Sequence, residues 1–161
     1  MAKRKKPNLK RMAKRLDDIF RKYIKARDQY CCVACGIHKD STPQKFLDNS
    51  HKISRSNYLL RWCEKNAVAL CRRCHNDWGA GITKPQNDAI DRMWGDGTVA
   101  RLEQFAKQYP YSKGSNLDSV DFRMKLESFY RKKLKCLEEG LTPIKVMESV
   151  WEDFGENIEA I

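Results

Sequence analysis

Apolar side chains at Met12, Leu16, Ile19, Phe20 and Tyr23 trace one face of a helix over Asn8 to Arg27, with Lys and Arg covering the remainder. A knuckle-like turn follows at Cys32 to Gly36, then a loop and a short strand around Lys45 to His51. Val68-Ala69-Leu70 predicts a second short strand running into Cys71, and a helix should begin near Cys74 or His75 and stop before Gly79-Ala80-Gly81. Thr83 with Pro85 starts a helix that Gly95 ends. Thr98 caps the next, whose buried face carries Val99, Leu102, Phe105 and Ala106. Tyr109 to Asn116 reads as a loop. Asp118 or Ser119 then opens a long amphipathic helix with Phe122, Leu126, Phe129, Tyr130, Leu134 and Leu137 as its stripe, and Gly140 stops it. The pattern is that of an α+β chain, mostly helical, with no internal repeat.

A length of 161 residues suits one compact domain with extensions better than two full domains. The formal charge of +11 points to a polyanionic partner, nucleic acid first. That charge has a location. Met1 to Tyr30 holds twelve Lys and Arg against three Asp, whereas Leu141 to Ile161 holds one Lys against five acids. The divisions are a basic N-terminal arm over 1–28, a cysteine- and histidine-rich core over 29–82, a helical part over 83–140 and an acidic tail over 141–161. In that tail, Val146, Val150, Trp151 and Phe154 can form a short docking helix. No stretch approaches the roughly 20 apolar residues of a membrane span, and polar residues follow the basic start where a signal sequence would turn apolar. A soluble, cytoplasmic protein without membrane contact is expected.

Residues 31–81 hold six of the seven cysteines and all three histidines. Cys32-x-x-Cys35 and Cys71-x-x-Cys74 each put two thiolates on a tight turn, and two such turns can surround one structural Zn²⁺ tetrahedrally. Cys31 can replace Cys32 through a wider spacing, and His75 can replace a cysteine. Cys63 and Cys136 read as ordinary thiols. A closed four-sulfur site has no open position to activate water, so chemistry must come from the 35 residues between the pairs and those beside them.

The order His51…Asn66…Leu70-Cys71-x-x-Cys74-His75 resembles the HNH nuclease signature. That resemblance implies a small zinc-bound treble-clef ββα-metal core with flanking amphipathic helices. It also implies His51 as general base, Asn66 fixing the loop and orienting the imidazole, and His75 holding a catalytic divalent metal. Phosphodiester hydrolysis suits such a set, because a neutral imidazole can take a proton from water near pH 7. A hard cation, Mg²⁺ or Mn²⁺, offsets charge on the phosphoryl oxygens. Ser50 stands where many HNH proteins carry an acid or His before the base; the nearest acid is Asp48, the expected second metal ligand.

More of the chain resembles the phage NinG family, also called Rap. The matching pieces are Tyr23-Ile24-Lys25-Ala26-Arg27-Asp28, Cys32-Val33-Ala34-Cys35-Gly36, Asp48-Asn49-Ser50-His51, Leu60-Arg61-Trp62-Cys63-Glu64-Lys65-Asn66 and Phe129-Tyr130-Arg131-Lys132-Lys133-Leu134-Lys135. This likeness implies an endonuclease of branched recombination intermediates such as Holliday junctions and D-loops, acting in a bacterial host cell. Two other outcomes fit the residues: an HNH nuclease of ordinary duplex DNA, or a non-catalytic zinc-dependent DNA-binding module. Lys10, Lys14, Arg21, Arg55, Arg61, Arg72 and Arg73 are the expected phosphate contacts. Trp62, Trp78 and Trp94 can stack on unpaired bases, but core packing is the preferred reading. Two cuts on a symmetric junction imply a homodimer, with the helix from Asp118 to Glu139 as its candidate interface.

Overall fold

The structure, a computed structural model, describes residues 8–38, 40, 47–110 and 119–141. Residues 1–7 of the basic arm, Lys45 and Phe46 of the expected strand, most of the 109–116 loop, Asp118 and the acidic tail helix lie outside the described residues. Among those described, the chain is α+β and mostly helical. The elements are α1 (Leu9–Arg27), β1 (Leu47–His51), β2 (Ala67–Cys71), α2 (Arg72–Gly79), α3 (Lys84–Trp94), α4 (Thr98–Gln108) and α5 (Val120–Glu138), with a single 3-10 turn at Glu64–Asn66 before β2.

The expected apolar face of α1 is buried, joined by Ile24 and Arg27. Asn8 caps the helix by accepting from the Arg11 amide at 3.0 Å. The stripe of α5 packs against it, with Ser119 capping and Gly140 (φ +86°) ending the helix. The apolar face expected between two copies is therefore covered by α1 of the same chain.

Strands β1 and β2 pair antiparallel from Leu47 opposite Cys71 to His51 opposite Ala67. Every residue of β2 is buried, because the strand lies between two cores. Ala67 and Ala69 face the α1–α5 core, while Val68 and Leu70 face a second core with Leu47, Ile90 and Val99. Small residues on one side let α1 approach the strand closely.

A two-stranded sheet leaves one edge of β2 without a partner, and side chains supply it. The Arg27 guanidinium donates to the carbonyls of Glu64 (2.9 Å) and Ala67 (2.8 Å). Asp28 accepts from the Ala69 amide at 2.7 Å and binds Arg27 at 2.7 Å. The Val33 amide donates to the Ala69 carbonyl at 3.1 Å. Buried backbone groups must be paired somewhere, and here two charged residues do it. Arg27 thus turns inward and leaves the basic surface of the arm. Beside it Lys133, fully buried, meets Glu64, which also accepts from the Tyr23 hydroxyl at 2.5 Å. This network ties α1, α5 and the 3-10 turn together.

Two helix starts differ from expectation. Helix α2 begins at Arg72, not near Cys74 or His75, since extended Cys71 acts as its N-cap directly at the end of β2. Thr98 does not cap α4; Gly97, left-handed at φ +78°, holds that position. The Thr98 hydroxyl instead donates back to the Gly95 carbonyl at 2.7 Å.

Candidate active site and metal centre

The first knuckle closes through the Gly36 amide donating to the Cys32 carbonyl at 2.7 Å, with Gly36 at φ +75°. The second comprises Cys71 at the end of β2 and Cys74 in the first turn of α2. Sulfurs of Cys32, Cys35, Cys71 and Cys74 lie within 4.8 Å of one another, a set that can hold a metal ion. Burial pushes the Cys32 thiol up, but backbone N–H groups of Cys71, Cys35 and Ala34 aimed at its sulfur outweigh that and bring it down overall. Such amide donors suit a thiolate. Cys31 is outside this set, its thiol 3.5 Å from the Gln29 carbonyl, and His75 is engaged elsewhere.

Next to the knuckles opens a cleft of about 420 Å³ whose lining includes Asp17, Arg21, Asp48, His51, Arg55 and His75. Asp48 projects from β1 and His75 from α2, and His75 Nδ1 sits 2.9 Å from Asp48 Oδ2. The start of α2 at Arg72 makes this meeting possible, because it holds His75 one turn in on a helix continuous with the metal-site strand. Ser50, the residue before His51, is buried, and its hydroxyl has no partner among the described residues.

His51, at the other end of β1, is held through Nε2, 2.9 Å from the Arg61 carbonyl. A carbonyl only accepts, so Nε2 carries the proton and Nδ1 keeps its lone pair. Phe20 of α1 lies against the ring, with centroids 6.0 Å apart. Burial pulls the imidazole down to about 4; the Arg61 carbonyl opposes this and the Arg55 charge reinforces it. His51 is therefore neutral at physiological pH. This is the protonation state a base requires.

Asn66 is fully buried and closes the segment between the strands. Its amide nitrogen donates to the carbonyls of Ile53 (3.0 Å) and Leu60 (2.9 Å), and its oxygen accepts from the Ile53 amide at 2.6 Å. Through these three bonds it ties the loop to the segment before β2. Its link to the imidazole is indirect, through the backbone that carries the Arg61 carbonyl.

The expected phosphate contacts divide. Lys10, Lys14, Arg21, Arg55, Arg72 and Arg73 are exposed. Of these, Lys10, Lys14 and Arg21 share one flank of α1 leading to the cleft. Arg72 lies 3.5 Å from Asp48, and Arg21 binds Asp18 at 2.8 Å. Arg61 departs from expectation: its guanidinium grips Asp17 through Nε (3.0 Å) and Nη2 (2.6 Å), a fork on a carboxylate within the molecule. Trp62 is core, and Trp78 and Trp94 pack against the second core.

Asp17 was not singled out by motif. Its only signal was that Asp17 and Asp18 are the sole acids of an otherwise basic helix. Glu64 and Asp28 gave less, since a charged residue in sequence reads as surface. No helix among the described residues is long and apolar enough to cross a membrane. Compared with protein-family models, with curated proteins and with solved structures, the chain matches none.

Proposed function

We propose that the protein is a metal-dependent DNA endonuclease of the HNH type, acting on branched recombination intermediates as its likeness to the NinG family implies. The observation that carries this reading is the convergence of Asp48, His51 and His75 on one cleft, with the proton of His51 fixed on Nε2. His51 Nδ1 accepts the proton of the attacking water, and the Arg61 carbonyl steadies the imidazolium that forms. Adjacent oxygen or nitrogen ligands of an octahedral ion at about 2.1 Å lie about 3 Å apart. The 2.9 Å between His75 Nδ1 and Asp48 Oδ2 fits that edge. When bound there, Mg²⁺ or Mn²⁺ supplies positive charge against the phosphoryl and leaving oxygens.

The four cysteines suit Zn²⁺. Thiolates at about 2.3 Å around a tetrahedral ion are about 3.8 Å apart, and Cys35 Sγ lies 3.8 Å from Cys71 Sγ. This ion is structural and positions His75. Lys10, Lys14, Arg21, Arg55, Arg72 and Arg73 hold the phosphate backbone without reading sequence. Two symmetric cuts on a four-way junction need a homodimer, and with the α5 stripe used internally the interface lies elsewhere on the chain.

The test is cleavage of labelled linear, forked and four-way DNA with Mg²⁺ or Mn²⁺, beside His51→Ala. The parent cuts the four-way substrate fastest; His51→Ala binds it and does not cut. Parental cleavage by His51→Ala overturns the mechanism. Equal rates on linear and four-way DNA make the protein a duplex nuclease, and binding without cleavage under either ion makes it a non-catalytic module.

A further inference from the structure

We propose that Asp17 is the positioning residue of His51: through Arg61 and Trp62 it fixes the peptide whose carbonyl sets the tautomer and the aim of the imidazole. The proposal rests on the nuclease reading for the role of His51, though its geometry stands apart from it.

The carbonyl that accepts from His51 Nε2 belongs to the peptide unit joining Arg61 to Trp62. That unit lies in an irregular segment, 52–63, as the middle peptide of a turn that the Cys63 amide closes on the Leu60 carbonyl at 3.2 Å. The side chains on both sides of the unit converge on one carboxylate. Arg61 donates Nε to Asp17 Oδ1 (3.0 Å) and Nη2 to Oδ2 (2.6 Å), and Trp62 donates Nε1 to Oδ1 (2.9 Å). Both residues that flank the peptide are thereby tied to one point on α1, which holds the turn, and the carbonyl it presents, in place beside His51. Stacking adds to this, with the Arg61 guanidinium 5.5 Å from the Tyr58 ring centroid and 5.3 Å from that of Trp62.

The anchor itself is rigid. Asp17 stands in the middle of α1, between Leu16 and Ile19, which are both buried in the α1–α5 core. Phe20, one turn further on, packs against the His51 ring. The basic helix therefore reaches the imidazole twice: directly through Phe20, and through Asp17 by way of the loop. An acid at this place on a helix otherwise covered in cations is explained by that clamp. Were Asp17 only a stabilising ion pair, its loss would lower stability and leave the imidazole unchanged.

The test uses the full chain with its metals. Imidazole ¹⁵N shifts report the His51 tautomer, and single-turnover cleavage of a labelled four-way junction reports chemistry. The parent shows one tautomer, protonated on Nε2. Asp17→Ala mixes the tautomers and slows cleavage by about tenfold to a hundredfold, the usual cost of a misplaced catalytic group, while junction Kd changes by less than about twofold. Arg61→Ala does the same, and the double variant is no slower than either alone, because both act through one clamp. Asp17→Asn, close in shape, keeps the fold if Asp17→Ala does not, and loses one arm of the fork with an intermediate effect. An unchanged tautomer and parental cleavage in a folded Asp17 variant overturn the proposal, as does additivity with Arg61→Ala. If the parent cuts no DNA, the nuclease reading fails, and the ¹⁵N shifts still decide for or against the clamp.

Discussion

The two ends of the β1–β2 ribbon are held by different physics. At the Leu47–Cys71 end, four cysteines gather around a point that can hold an ion, and the side chains beside them, Asp48 and His75, are half exposed. At the His51–Ala67 end there is no such cluster among the described residues. Asn66 and the Arg27–Asp28 pair satisfy backbone groups by direct hydrogen bonds, Asp17 binds the side chains of Arg61 and Trp62, and His51 is mostly buried. Both ends have core beside them; metal binding can add rigidity at the first, and buried hydrogen bonds add it at the second. The contrast sets a cluster that can hold an ion at one end against a network of buried hydrogen bonds at the other.

The largest expected effect comes from breaking the first end. Structural zinc contributes apparent free energies of about 10–16 kcal/mol in small zinc modules, comparable to the whole stability of a domain. Cys71→Ser, or a strong chelator, should release zinc and abolish amide protection in α2 and around Cys32. Protection in α1 and α5, which share their own core, should persist; loss of it together with α2 would show that the two ends are one cooperative unit.

Asn66→Ala attacks the second end. It strands the Ile53 amide and carbonyl and leaves the Leu60 carbonyl with the Cys63 amide as its donor, at a cost of about 3 kcal/mol in chemical denaturation. Zinc content should stay at one ion per chain. A loss of zinc here would couple ends that the structure separates.

A change of pH reaches the second end more gently. His51 titrates near 4 in the folded chain and near 6.5 when unfolded, so the unfolded state binds the extra proton between those values. Stability from this group is complete above about pH 6.5 and is lost as pH falls toward 4, at most about 3 kcal/mol. Denaturation midpoints of the parent and His51→Gln at pH 7 and 4.5 measure it, and the variant should lack that part of the fall. The same low value keeps His51 unprotonated, and cleavage supported by it, at pH 5–6.

The smallest effect belongs to the exposed rim. Arg73 is 89 % exposed and only 4.0 Å from Asp77. Arg73→Ala should change stability by less than about 0.5 kcal/mol and lower the salt slope of DNA binding by about one. A larger loss of stability would mean that Arg73 supports α2 and the metal end.

Much of this was legible in the chain. Periodicity marked α1 and α5, and Thr83, Pro85 and Gly95 bracketed α3, because these signals act within a turn or two of sequence. The two Cys-x-x-Cys pairs, with Asp48, His51, Asn66 and His75, were legible as residue types at given spacings. The roles of Arg61 and Arg27 were not: a guanidinium reads as surface until a carboxylate or an unpaired strand edge is shown beside it. Asp17 lies 44 residues from Arg61 and forms no motif with it.

The sequence by itself determined which segments form helices and strands, though not where α2 starts or what caps α4, that four thiols share one ion's spacing, and that the N-terminal arm is basic. Only the tertiary structure decided that β2 divides two cores, that α1 closes over the α5 stripe, and which nitrogen of His51 is free. Local propensity acts over a few residues, whereas the proton on Nε2 follows from a carbonyl that packing, not sequence order, brings into reach.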